Sequence, residues 1–239
     1  MKYKKFSIII PILNEEKNII SLVNQIKKNL TEYKDNYELI FVDDSSEDNS
    51  RILINNLIKK NKFIKLIHRI EERDLSKSCI LGFKNANSEI ISVMDGDLQH
   101  SPKDLKKMLK VFLNSNLDVL IGVRNFDDQK VGLNIFRKIS SKIIVIIINI
   151  LLKKKTSDPL SGFFIFKKKI FNENKKKLFS RGFKILSDII YSSKKNLLIK
   201  DYKINFNYRN AEKSKMRFKV LIVLIIFILK RFILRIFNN

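Results

Sequence analysis

Glu89-Ile90-Ile91-Ser92-Val93-Met94-Asp95-Gly96-Asp97-Leu98-Gln99-His100-Ser101-Pro102 is the stretch on which the architecture turns. Glu89 to Met94 is short, rich in Ile and Val and nearly continuous in apolarity, the pattern of a strand buried on both faces of a parallel sheet. Pro102 suits the first turn of a helix with Ser101 as its N-cap, and Leu105, Met108, Leu109 and Phe112 then recur at helical spacing. Between strand and helix stand two carboxylates one residue apart, joined by a glycine that lets the backbone turn tightly. Asp95 and Asp97, with the amide oxygen of Gln99, make a compact set of hard oxygen donors for Mg2+ or Mn2+. An isolated Asp-x-Asp carries little weight. Its place at a strand end carries more, because a doubly wound sheet holds its ligand at the carboxyl ends of its strands.

Outward from this stretch the same alternation continues. Phe6 to Ile10, Glu38 to Val42, Phe63 to His68 and Asp118 to Gly122 read as further strands, and Ile19, Ile20, Val23, Ile26 and Leu30 keep a helical period. Strand and helix alternating in this way predict an α/β doubly wound sheet. Asp43 and Asp44 put a second acidic pair after the second strand; one would turn into or cap a helix from Glu47 and the other would bind.

Composition narrows the function. The chain has 239 residues, with 48 Lys plus Arg against 24 Asp plus Glu, for a net charge of +24. That excess favours an anionic partner, although heavy use of Lys, Ile and Asn with little Gly and Pro is also what AT-rich coding produces. One cysteine, Cys79, and two histidines exclude an internal disulfide framework and a multi-cysteine zinc site. No helix carries bases on one face with aromatics interleaved, and the paired carboxylates would repel a phosphate backbone without metal, so nucleic acid is not the expected partner. The apolar run after Met1 to Lys5 ends at Pro11, too short for a signal peptide; the expected location is the cytoplasmic face of a membrane.

The second half carries two apolar runs. Ile143 to Leu152 has Asn149 as its one polar residue, Val220 to Leu229 has none, and each is followed by Lys or Arg. Ten helical residues span about 15 Å, half the roughly 30 Å hydrocarbon core. Core helices with solvated ends are one reading; helices lying in the membrane interface, with bases at the headgroups, are the other and the better supported. The Lys167 to Lys169 and Lys175 to Lys177 runs read as solvated faces, Cys79 as a small buried helix residue, His68 as structural, and His100 either as a neighbour of the metal or as a plain helix residue.

Three segments carry a resemblance. Ser7-Ile8-Ile9-Ile10-Pro11-Ile12-Leu13-Asn14-Glu15-Glu16, Val42-Asp43-Asp44-Ser45-Ser46-Glu47-Asp48 and Met94-Asp95-Gly96-Asp97-Leu98-Gln99-His100-Ser101-Pro102 resemble, in order and spacing, the signatures of family 2 glycosyltransferases of the GT-A fold. Among these the chain is most similar to polyprenyl-phosphate sugar transferases of the dolichol-phosphate mannose synthase type, over roughly residues 5–217. Arg73-Asp74-Leu75-Ser76 with Gly82-Phe83 matches the segment before the metal motif, except that the family often has glycine where Ser76 and Ser78 stand. Ile121-Gly122-Val123-Arg124, Arg137 with Ser140 and Ser141, Asp158-Pro159-Leu160-Ser161-Gly162-Phe163, Arg181-Gly182-Phe183-Lys184-Ile185-Leu186, and Arg209 with Ser214 and Lys215 match later signatures.

The resemblance implies a GT-A fold, a Rossmann-like mixed sheet with interfacial amphipathic helices and a C-terminal apolar helix. Residues 1–215 would form the catalytic domain, including a membrane-interface helix around 136–155, and 216–239 the apolar membrane-associating helix. It implies that Asp95, Asp97 and Gln99 hold the metal. Pro11, Asn14, Glu15, Asp43, Asp44, Asp95, Gly96, Arg209 and Lys215 would bind the nucleotide sugar. Arg124, Arg137, Ser141 and Arg209 would grip an acceptor phosphate, with Asp97, Arg124 and Arg137 central to catalysis. The implied reaction moves a hexose, with inversion, from a nucleotide sugar to a polyprenyl or dolichyl phosphate, mannose from GDP-mannose being favoured. UDP-glucose or UDP-N-acetylhexosamine as donor, or a glycan hydroxyl as acceptor, stay open as alternatives, as does a separate membrane-anchor protein. No general base is assigned; Asp158 is the runner-up if one exists, its plainer role being to fix the turn at Pro159.

Overall fold

Seven strands form one sheet in the order β3-β2-β1-β4-β6-β5-β7 in the computed structural model, which describes residues 5–124, 156–182, 184–193 and 196–204. In chain order the elements are β1 (Phe6–Ile12), α1 (Glu16–Asn29), β2 (Tyr37–Asp43), α2 (Ser50–Lys60), β3 (Ile64–His68), α3 (Leu75–Asn85), β4 (Ile90–Val93) and α4 (Pro102–Leu113). They continue with β5 (Val119–Arg124), β6 (Phe164–Lys167), α5 (Lys168–Asn174), α6 (Ile185–Ser192) and β7 (Ile199–Ile204). β6 runs antiparallel to β4 and β5, and the other pairings are parallel. The sheet is therefore mixed, as expected for a Rossmann-like GT-A fold.

The strands read as nearly unbroken apolar runs because helices cover both faces. Ile8, Ile10, Leu39, Phe41 and Leu120 pack with residues of α1, α2 and α4, while Ile9, Ile40, Val42, Ile91 and Ile121 pack with residues of α3, α5 and α6. The helical period is seated as predicted on α4, where Leu105, Met108, Leu109 and Phe112 are all buried and Ser101 Oγ accepts the Lys103 N–H. On α1 the buried set is Ile19, Leu22, Val23 and Ile26; Ile20, counted in the sequence period, faces out at 42% exposure.

Four differences from the sequence reading have physical reasons. β1 continues through Pro11 to Ile12, which a central strand tolerates because β1 pairs with β4 only as far as Ile9 and is paired on one side beyond it. The second helix starts at Ser50, not Glu47, because Asp48 Oδ1 accepts the Ser50 N–H and holds the preceding residues in a turn. β6 and β7 were not foreseen: β6 is four residues running straight into a helix, and β7 is an edge strand whose Lys200, Asp201 and Lys203 break any apolar period. Lys167 and Lys168 are also not a solvated face. Lys167 Nζ reaches Asp118 Oδ1 at 3.0 Å and Lys168 Nζ donates to the Ala86 carbonyl, whereas Lys175 to Lys177 are exposed as read.

Among the described residues no helix is long and apolar enough to cross a membrane. The expected interface helix around 136–155, the helix 216–239, and Arg137, Ser141, Arg209 and Lys215 lie outside the described residues.

Candidate active site

The parallel register brings the ends of β1, β2 and β4 to one edge. Ile12 lies beside Asp43, Asp43 beside His68, and Ile9 beside Val93, so the loops after these strands emerge together. The first two are laced by hydrogen bonds: Asn14 N–H donates to Ser46 Oγ at 2.9 Å, Glu15 N–H to Ser50 Oγ at 2.9 Å, and Glu16 N–H to Asp48 Oδ2 at 3.0 Å. In return Glu47 N–H donates to Asn14 Oδ1 at 2.8 Å and Asn49 N–H to Glu16 Oε2 at 3.0 Å. Asn14 sits at φ 57°, a left-handed conformation that Asn adopts more readily than most residues. The loops after β1 and β2 are thus joined into one hydrogen-bonded unit.

Asp43 and Asp44 divide their work differently from the expectation. Asp43 is fully buried; its Oδ1 accepts the Ser46 N–H at 3.1 Å and its Oδ2 lies 2.9 Å from His68 Nδ1 and 3.6 Å from Arg51 Nε. His68 is structural, as read. Asp44 pairs with the buried Arg69 guanidinium on Oδ1 and accepts the Asp74 N–H at 2.7 Å on Oδ2. Neither caps α2. Asp74, the N-cap of α3, then accepts the Lys77 N–H on Oδ1 and the Gly182 N–H on Oδ2 at 2.8 Å. The segment Arg69 to Asp74 is therefore a strap between the second acidic motif and the loop before α6. The two serines that stand where the family often has glycine are both used: Ser76 Oγ donates to Gly182 O at 2.7 Å and Ser78 Oγ to Asp74 O at 3.1 Å.

Asp95 and Asp97 follow β4. A Cβ added at Gly96 would lie 2.8 Å from Ile12 Cγ2, so the glycine lets this loop press against the end of β1. Asp97 Oδ1 accepts the Gln99 N–H at 3.1 Å, and Leu98 between them has φ 63°. His100 is buried, stacked on Phe163 at 4.8 Å, and its Nδ1 accepts the Asp95 N–H at 3.1 Å. Burial pulls its pKa down to about 4, with the Arg124 charge adding to the effect and Asp97 and Asp158 opposing it. The neutral ring with its proton on Nε2 thus braces the backbone of the Asp95-Gly96-Asp97 turn. Cys79 is buried in α3, and burial, followed by the charges of Asp95, Asp74 and Asp44, pushes its thiol far above the ordinary range, leaving it inert.

The antiparallel strand β6 brings a further loop to this motif. Because Phe164 pairs with Val93, the residues before it fold over Asp95; a Cβ on Gly162 would lie 3.1 Å from both Asp95 carboxylate oxygens. A larger residue there would crowd the carboxylate, so the glycine lets the loop approach it closely. Ser161 Oγ donates to Gly122 O at 2.6 Å and accepts the Phe163 N–H at 3.1 Å, tying this loop to β5. At the end of β5, Arg124 makes a fork to the fully buried Asp158: Nε to Oδ2 at 2.8 Å and Nη2 to Oδ1 at 3.1 Å. Both Asp158 oxygens are engaged by a cation.

Among the described residues no three His, Cys, Asp or Glu side chains gather as a metal cage. The expected set is smaller, two carboxylates and one amide oxygen, all hard donors. It fits a divalent cation that keeps positions for phosphate oxygens, and the Gly162 clearance over the Asp95 carboxylate is consistent with that use. Pro11 and Asp43 at the ends of β1 and β2, with Asn14, Glu15, Asp44, Asp95, Gly96, Asp97 and Gln99 on the loops that follow the strands, lie along one end of the sheet, and β6 links Arg124 to them. Sequence reading missed Arg69, and Asp74 as a bridge. An Asp directly before Leu75 was legible as an N-cap; nothing local marked Arg69.

A family model described as "Glycosyl transferase family 2" matches residues 7–174. The chain is 34% identical over 220 residues to a dolichol-phosphate mannosyltransferase of Pyrococcus furiosus, covering 91% of this chain and 60% of that protein. It is 30% identical over 224 residues to a dolichol-phosphate mannosyltransferase of Mycosarcoma maydis, covering 90% of this chain and 74% of that protein. The chain thus spans less than two thirds of the archaeal relative's length. In fold it is similar to glucosyl-3-phosphoglycerate synthase of Mycobacterium tuberculosis, solved with Mn2+, UDP-glucose and phosphoglyceric acid, with a TM-score of 0.74 at 13% identity over 95% of this chain and 79% of that one.

Proposed function

The chain belongs to glycosyl transferase family 2, and from that premise we propose that it moves a hexose from a nucleotide sugar to a polyprenyl phosphate at a membrane surface, mannose from GDP-mannose being the favoured donor. The observation that carries this reading is the pairing of an acidic, oxygen-only edge at Asp95 and Asp97 with the Arg124 guanidinium on β5, joined through the Gly162 loop. The names of the archaeal and fungal relatives support the same acceptor class.

In this reading Asp95, Asp97 and Gln99 hold Mg2+ or Mn2+. The cation supplies Lewis acidity and charge neutralisation for a departing diphosphate. Pro11, Asn14, Glu15, Asp44 and Gly96 line the nucleotide side, and Asp43 supports them from beneath. Arg124 receives the acceptor phosphate, joined by Arg137, Ser141 and Arg209, while Lys215 and Arg209 approach the donor.

A phosphate monoester has its second ionisation near pH 6, so most of the acceptor is a dianion at neutral pH. One of its oxygens attacks C1, the C1–O bond to the nucleoside diphosphate breaks, and the sugar configuration inverts. No proton has to be removed, so the protein's task is to align two anions and screen their repulsion. The engagement of both Asp158 oxygens by Arg124 supports a holding role for that residue. The segments around 136–155 and 216–239 would lie in the interface of the cytoplasmic leaflet, with or without a separate anchor protein.

The test is transfer from radiolabelled GDP-mannose, UDP-glucose and UDP-N-acetylglucosamine to a short polyprenyl phosphate, with Mg2+, with Mn2+ and with chelator. Metal-dependent lipid product from GDP-mannose is expected. Lipid product from a UDP-sugar alone would keep the acceptor and change the donor; donor hydrolysis with no lipid product would overturn the acceptor class.

A further inference from the structure

The acceptor side of the cleft hangs from a carboxylate that no motif singled out. On β7, Asp201 accepts Thr156 Oγ1–H on Oδ1 at 2.6 Å, and on Oδ2 both the Ser157 N–H and the Ser157 Oγ–H at 2.7 Å. Thr156 Oγ1 in turn accepts the Asp158 N–H at 3.2 Å, and Asp158 forks to Arg124. Thr156 and Asp158 are buried. Both ends of this relay are fixed to one pair of strands, since Asp201 lies in register with Ile121 of β5, and Arg124 with Ile204 of β7.

We propose that Asp201 is a positioning residue for the acceptor phosphate: it orients Thr156 and Ser157, they set the Asp158 carboxylate, and Asp158 fixes the Arg124 guanidinium. The inference rests on the reading of Arg124 as a ligand of that phosphate. The chemistry is directional. An ionised carboxylate is acceptor-only, so Asp201 obliges the Thr156 hydroxyl to donate toward β7 and leaves its lone pairs for the Asp158 N–H. Asp158, buried and negative, is then tied at its backbone and at both side-chain oxygens, and a fork held that way fixes the plane of the guanidinium as well as its place. Groups that orient a metal's ligands from behind commonly change its affinity about 10-fold to 100-fold; Asp201 stands two links behind Arg124's own partner, so the lower end of that scale applies.

The experiment uses the full chain with a short polyprenyl phosphate and a nucleotide sugar, reading both KM values separately. Asp201→Ala should raise the acceptor KM by up to about 10-fold, no more than a change at Asp158 itself, and leave the nucleotide-sugar KM unchanged. Asp201→Asn, which keeps one acceptor oxygen and puts an NH2 donor in place of the other, should fall between. Thr156→Val breaks the relay at its next link and should give the same split, which covers the case in which Asp201→Ala fails to fold. Combining Asp201→Ala with Arg124→Lys should raise the acceptor KM no further than Arg124→Lys alone. An unchanged acceptor KM in a folded variant, or an equal rise in both KM values, would overturn the proposal. Should the wild-type chain use a sugar hydroxyl in place of polyprenyl phosphate, the reading of the acceptor fails and the phosphate role of Asp201 with it, while the relay itself is decided without substrate. Urea unfolding of wild type, Asp201→Ala, Arg124→Lys and their double variant needs no substrate: non-additive midpoints are expected, and additive ones would overturn the relay.

Discussion

Gly82 lies where α3 crosses β1 and β2, and a Cβ added there would stand 2.4 Å from Ile9 Cγ2 and 3.3 Å from Val42 Cγ2. Carbon atoms in good contact are about 3.5–4.0 Å apart, so Gly82→Ala demands more than about 1 Å of retreat from groups that are fully buried. By helix propensity alone the substitution should stabilise by about 0.8–1 kcal/mol. Overpacking costs roughly 1–3 kcal/mol, and with Ile9 on a central strand the upper part of that range applies. The net expectation is a loss of about 2 kcal/mol, opposite in sign to the propensity. A lifted α3 would also carry Asp74 with it and loosen its hold on Asp44 and Gly182, so nucleotide-sugar affinity should fall in a variant that is still folded.

Urea denaturation measures the first effect and equilibrium titration with nucleotide the second. Ile9→Ala removes the obstructing methyl at its own cost of roughly 2–5 kcal/mol, and the double variant should be less destabilised than the sum by about 1 kcal/mol or more. A stabilised Gly82→Ala, or strict additivity with Ile9→Ala, would refute the close packing from which the figure comes.

Asp158→Asn should raise the acceptor KM about 10-fold and leave the pH profile of kcat in place, since one charge-assisted bond of the fork is lost; a kcat loss of about 10²–10⁴-fold at unchanged acceptor KM would instead assign Asp158 as a general base. Ser92 Oγ is the buried side-chain polar atom without a hydrogen-bond partner among the described residues, so Ser92→Ala should hold or raise stability by about 1 kcal/mol in urea denaturation. A comparable loss of stability would contradict the orphaned hydroxyl. Burial works to raise the Glu38 pKa, but hydrogen bonds from Lys65, Ser7 and the Asn87 N–H, with the Lys65 charge, outweigh it and hold it below the ordinary value. The unfolded chain then binds the proton first, so Glu38 contributes stability that is present above about pH 4.3 and lost as pH falls through its folded pKa. Glu38→Gln should flatten the acid side of a stability-versus-pH curve, and an unaltered slope would exclude the contribution.

Much of this protein was written locally. The strands buried on both faces had to be continuous apolar runs, and α4 announced its start through Ser101 and Pro102 and its core face through Leu105, Met108, Leu109 and Phe112. The acidic pairs were equally visible, because turn and metal chemistry need particular residues at adjacent positions. Other features had no local signal. β6 is too short to show a period, and β7, an edge strand, carries Lys200 and Asp201 side by side with no period of two.

The partners of the site residues were settled over long separations. Nothing in the order of residues told that Asp44 would be shared between Arg69 and Asp74, that Asp74 would reach Gly182, or that His100 would stack on Phe163. Arg124 was foreseen as a phosphate ligand, but its fork to Asp158, and the tether from Asp158 through Thr156 to Asp201, exist because an antiparallel strand is inserted between β4 and β5 and turns the Gly162 loop over the metal motif. Sequence determined which chemical groups stand at strand ends, since hydrophobic period and turn residues act over a few positions. Which of those groups meet was decided by strand order and register, which act only once distant segments are side by side.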